Sequence, residues 1–221
     1  MALSMAQQRA LAILPKITGS LSFLFSLLIA TTILRDGSRR KLCYHRLLFG
    51  ISCADMSASV WMLMSTWPIP RDSGVVYAAG NAHTCTAQGF FLQFGVSSPF
   101  YNASLSIYYW LVIVRGWKEA QLHKIEWLFH ALPLTWGAAT ALTGLALGVY
   151  DNANLWCWVG ADYKVFRYVF LCVANVFFFF FLDCWTIWLT TSVSCPSFCV
   201  SSFYGIFFCV DGRPITDRCG P

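Results

Sequence analysis

Cys85-Thr-Ala-Gln-Gly-Phe-Phe91 and Leu155-Trp-Cys-Trp-Val159 decide how this chain is read. The first opens a long apolar stretch spotted with polar residues, and the second lies in the loop between two later apolar runs. Of the ten cysteines, only Cys85 and Cys157 fall in short loops on one side of a predicted membrane, the side where disulfides persist. A bridge between them would tie one face of a helical bundle; two free thiols packed in a helix end and a loop are the alternative.

Outward from these segments, apolar stretches of about 18 residues or more recur, the length that crosses roughly 30 Å of hydrocarbon as a helix. Spanning helices are predicted over residues 17–34, 47–67, 89–114, 127–150 and 165–189, with a weaker sixth over 193–210. Each run is continuous and too long for the roughly 10-residue alternating strands of a membrane barrel. The predicted fold is therefore all-α, a polytopic bundle over 17–190, with a short outer N-terminus over 1–16 and an atypical segment over 191–221. Residues 1–16 do not read as a cleaved signal peptide, because Gln7, Gln8 and Arg9 break the apolar stretch. The chain is 57% hydrophobic and only 11% charged, against about 25% charged in soluble domains, so lipid must be the solvent for much of its surface.

The net charge of +5 does not imply a nucleic-acid partner, because the cations sit beside helix ends. Arg35, Arg39, Arg40, Lys41 and Arg46 crowd the first loop, and Arg115, Lys118 and Lys124 the third. The second and fourth loops hold only Arg71, Lys164 and Arg167. The positive-inside rule then puts loops one and three in the cytoplasm and the N-terminus outside, in the plasma membrane or an endomembrane.

Asp55, about nine residues into the second run, is costly at that depth unless it meets water or a partner. It is either a functional group or a structural acid bonded to the serines around it, Ser52, Ser57 and Ser59. The third run carries Gln88, Gln93, Ser97, Ser98, Asn102, Ser104 and Ser106 with Pro99 among them, so it belongs at the centre of the bundle. Asn102-Ala-Ser104 matches a glycosylation pattern but lies inside the membrane. Pro133, Gly137, Gly144 and Gly148 describe a bent fourth helix open to close packing. Asp183 follows the Phe177-to-Phe181 run near the inner end of the fifth. Asp55, Gln93, Asn102 and Asp183 are the intramembrane candidates for a ligand or ion. His45, His83, His123 and His130 sit at loops or helix ends, and no zinc or serine-nucleophile pattern occurs, so neither enzyme chemistry nor a metal or cofactor is expected.

In this order, the outer cysteine of helix three, Cys157-Trp158, Asp55 and Trp136 resemble a seven-helix G-protein-coupled receptor over residues 15–190. Gln88-Gly-Phe-Phe-Leu-Gln-Phe-Gly95, Pro99-Phe-Tyr-Asn-Ala-Ser-Leu-Ser-Ile-Tyr-Tyr109 and Thr140-Ala-Leu-Thr-Gly-Leu-Ala-Leu-Gly-Val-Tyr150 look like the cyclic-AMP-receptor-like and secretin-like groups. They do not look like the rhodopsin group, since the end of helix three reads Tyr108-Tyr-Trp-Leu-Val-Ile-Val-Arg-Gly-Trp117, with no Asp-Arg-Tyr or Glu-Arg-Tyr triplet. The resemblance implies an extracellular ligand and a heterotrimeric G protein, with Arg39, Arg40, Arg115 and Lys118 as coupling candidates. It also implies that helices six and seven are missing or replaced after about residue 190, giving a truncated chain that does not signal alone but could pair with another receptor chain. A solute or ion transporter or channel is the rival from another class, against which stands the lack of an internal repeat.

Overall fold

The computed structural model describes residues 4–169. Residues 165–169 of the expected fifth helix are helical, whereas its remainder, the expected sixth helix, Asp183 and the segment over 191–221 lie outside the described residues. Five helices precede a small hairpin: α1 (Met5–Arg35), α2 (Cys43–Met64), α3 (Ala82–Phe94), α4 (Ser97–Ile113) and α5 (Glu119–Ala146), then β1 (Tyr150–Asn152) and β2 (Cys157–Val159).

Helix α1 starts twelve residues before the expected span because Ser4 and Gln7 form a reciprocal cap. The Ser4 hydroxyl accepts from the Gln7 amide, and the Gln7 side chain accepts from the Ser4 N–H at 2.9 Å. Its buried residues are mostly small, Ala12, Gly19, Ser26 and Ala30 among them, whereas Leu14, Leu24 and Leu28 are more than half exposed. The small face lets α2 approach: a Cβ on Gly19 would lie 3.0 Å from the Leu63 nitrogen. Ser59 donates to Ser22 at 2.9 Å, and Ser65 to the Ala12 carbonyl at 2.8 Å. Such small-residue seams with hydroxyl cross-bonds are how helices pack where the surroundings are as apolar as leucine.

Among the described residues two helices, α1 and α2, are long and apolar enough to cross a membrane. The single span expected over 89–114 is instead two pieces, α3 of 13 residues and α4 of 17. Pro99 is the cause, because it has no N–H for the Gly95 carbonyl. That carbonyl takes the Ser98 amide at 3.0 Å instead, and the Gln93 carbonyl takes Val96 at 3.1 Å. The backbone tightens to 3-10 pitch at the joint.

Helix α5 begins eight residues before the expected run and ends four before it. Its stop is Gly148, at φ +62°, a left-handed residue past the helix end that glycine adopts without penalty. Gly148 thus terminates the helix rather than packing it. Tyr150, expected as the last helical residue, starts the hairpin and pairs with Val159. The fourth loop is therefore ordered antiparallel structure, and His130 falls within α5 rather than at its end.

Candidate functional site

The hairpin end of the bundle is closed by one covalent bond and two buried amides. Cys85, in the first turns of α3, is bonded to Cys157 of β2. One turn further along α3, Gln88 is fully buried and meets three backbone groups. Its carbonyl accepts the Cys157 N–H at 2.8 Å, and its amide donates to the Trp61 and Ser65 carbonyls, each at 2.9 Å. Gln93 does the same deeper in, accepting from the Trp158 indole at 2.9 Å and donating to Thr140 at 3.1 Å. Tyr150 fills the slot left by two glycines. A Cβ on Gly89 would lie 2.7 Å from its ring, and one on Gly144 2.5 Å from its hydroxyl, which donates to the Ala141 carbonyl at 2.9 Å. The partner that Gly144 admits is thus the hairpin tyrosine, while Gly137 admits the Phe94 carbonyl of α3.

In the middle of the bundle, Ser98 of α4 donates to Asp55 of α2. The serines around Asp55 in its own helix bond elsewhere, Ser52 to the Leu48 carbonyl and Ser59 to Ser22. Asn102 lies one turn below Ser98 and donates to its carbonyl at 3.1 Å. Asp55 is thus tied to α4 through Ser98, and Asn102 bonds within α4, whereas Gln93 belongs to the hairpin contact above.

The end beside the first loop is ionic. Arg46, near the start of α2, makes a two-pronged pair with Glu126 of α5, through Nε to Oε1 and through Nη2 to Oε2 at 2.6 Å. Its remaining nitrogen donates to the Arg40 and Lys41 carbonyls of the first loop at 2.9 and 2.6 Å. Glu119 accepts from the Cys43 amide and stands 3.8 Å from Arg46. His130 lies 3.9 Å from Glu126 and 3.4 Å from the Tyr101 hydroxyl. A cleft of about 310 Å³ opens beside this group, lined by Arg46, Gly50, Cys53, Tyr101 and His130 among others. In the first loop, hydrogen bonds from the Ser38 hydroxyl and amide hold the Asp36 carboxyl below its ordinary range, with Arg39 adding to the effect.

Of the coupling candidates, Arg39 is paired to Asp36 at 3.1 Å and Arg40 is exposed in the same loop. Arg115 lies 5.3 Å over the Trp110 ring just past α4, and Lys118 caps α5. The sequence reading did not pair Arg46 with Glu126. The signal available was that each is the charge immediately outside an apolar run, at ends the positive-inside count puts on one side.

No family model matches the chain. It is similar to G-protein coupled receptor 157 of mouse, 29% identical over 144 residues, which is 62% of this chain and 40% of that protein. The human protein of that name is 29% identical over 147 residues, at the same shares. The rat protein is 27% identical over 163 residues, 70% of this chain and 45% of the relative. The similarity is a distant one to receptors. The chain spans less than half the length of these curated relatives.

Proposed function

We propose that this chain is part of a multi-pass, G-protein-coupled-receptor-like membrane protein, with its N-terminus and hairpin outside and loops one and three in the cytoplasm. The observation that carries the reading is the Cys85–Cys157 bridge between the start of α3 and the hairpin, in a chain whose distant relatives bear a receptor's name. The outward leucines of α1 support a lipid surround, since a helix in water would hide them and expose its serines. Lys16, whose ammonium lies 3.5 Å over the Trp67 ring, marks the outer interface, where such aromatic and basic anchors concentrate. From Lys16 to Arg35 the helix rises about 29 Å, at roughly 1.5 Å per residue, which matches the hydrocarbon thickness.

In this reading α3 and α4 cross together as one bent helix, and α5 crosses from Trp127 onward. Asp55, with its Ser98 partner, and Asn102 belong to the receptor interior. Arg115, Lys118, Arg39 and Arg40 lie on the surface that would meet a heterotrimeric G protein. The chain's texture resembles the cyclic-AMP-receptor-like and secretin-like groups. The transporter alternative draws no support from the relatives, which bear a receptor's name.

The test is nucleotide exchange on purified heterotrimeric G proteins by the chain reconstituted in vesicles, alone and co-expressed with the receptor helices of the mouse relative that this chain does not cover. Exchange in either sample above that of empty vesicles supports the reading. Solute flux without exchange would transfer the chain to the transporter class.

A further inference from the structure

The first loop carries more positive charge than its own structure uses. Arg35, Arg39, Arg40 and Lys41 are all exposed and lie within seven residues. Asp36 is the one carboxylate in that stretch, and it is bonded to Ser38 and Arg39. The neighbouring acids Glu119 and Glu126 are engaged by Arg46 and by the Cys43 amide, so they are not available to neutralise the loop. Arg46 instead holds the loop in place from behind, through the Arg40 and Lys41 carbonyls. The apolar residues on either side, Leu34 and Leu42, are 50% and 43% exposed. An ordered cationic loop flanked by two uncovered leucines has the layout of a headgroup contact, with charge at phosphate level and side chains at the acyl boundary.

We propose that residues 35–42 form a docking site for anionic phospholipid headgroups of the leaflet that the loop faces, with Arg40 and Lys41 as the principal contacts and Arg46 as the residue that positions them. This rests on the membrane reading above. Arg39 contributes less, because Asp36 already holds it. Juxtamembrane cations gain affinity for an anionic leaflet by roughly fivefold each, an effect that salt screens.

The full chain, purified in detergent, would be examined by native mass spectrometry with phosphatidylserine and phosphatidylcholine supplied in equal amounts. The expected result is a preference for phosphatidylserine that falls by about tenfold or more in R40Q/K41Q and is kept in the charge-preserving R40K/K41R. Non-reducing gel mobility, reporting the Cys85–Cys157 bridge, confirms that both variants fold. Equal binding of the two lipids, or a preference unchanged in R40Q/K41Q, overturns the proposal. Carbonate extraction of the expressing membranes separates the two readings: a chain that washes out removes the membrane reading, whereas one that stays embedded without a lipid preference removes this proposal alone.

Discussion

The two ends of the bundle are held by opposite chemistries. At the hairpin end a disulfide and two neutral amides, Gln88 and Gln93, bind α3 to β2, and every partner of the Gln88 side chain is a backbone group. At the loop-one end a guanidinium and two carboxylates join α2 to α5, with Arg46 27% and Glu126 11% exposed at their side chains. A covalent bond and neutral hydrogen bonds respond little to salt, whereas a half-wet ion pair weakens when water and ions reach it. The first end is thus insensitive to added ions, and the second is the one that a competing charge weakens.

The largest break in this comparison is removal of the staple. C85S/C157S closes no loop of 72 residues and should lose about 2–5 kcal/mol, read as a fall in melting temperature in detergent. Next comes E126A, which leaves the Arg46 guanidinium without its main partner and should cost about 2–4 kcal/mol in the same assay. The double replacement R46M/E126L should recover much of that loss, because a well-packed apolar pair avoids the desolvation cost. A double replacement as damaging as E126A alone would mean that Arg46 acts chiefly through the first-loop carbonyls.

Q88L sharpens the other side of the comparison, since it strands the Cys157 N–H and two carbonyls and should cost about 1–3 kcal/mol with the disulfide intact. W158F removes the indole donor to Gln93 together with part of the ring packed against Val149 and Tyr150, and should cost about 1–2 kcal/mol. The smallest effect is one of salt. Raising ionic strength from about 0.1 to 1 M, which shortens the screening length from roughly 10 to 3 Å, should speed hydrogen exchange over 42–46 and 119–126 and leave 85–93 and 157–159 unchanged. Equal acceleration at both ends would erase the distinction.

The sequence made some of this architecture legible and hid the rest for identifiable reasons. Apolar length marked α1 and α2, and sidedness picked Cys85 and Cys157 from among the cysteines, because both signals are local. Pro99 was visible as an interruption, but whether it kinks, breaks or merely tightens the backbone depends on where the Gly95 carbonyl finds a donor. Gly148 read as one of a packing series, and only its positive φ distinguishes a helix stop from a contact. Asp55 was marked by its depth, but its partner Ser98 lies 43 positions away, beyond the serines that adjacency suggested. Arg46 and Glu126 are 80 apart, and each alone looks like an ordinary charge flanking a span. His130 was placed at a helix end because the apolar run starts at Trp127, whereas the helix starts at Glu119 through its own cap.

The measurement that tests the central claim most directly is the sidedness of the two ends. A short epitope inserted after Ser38 and, in a second variant, after Asp72 would be stained in intact and in permeabilised cells. The receptor-like arrangement predicts that the epitope after Asp72 is reached in intact cells and the one after Ser38 only after permeabilisation. For a chain retained in internal membranes, the same contrast is read by selective permeabilisation of the plasma membrane. Both epitopes on one side, or the opposite assignment, would contradict it.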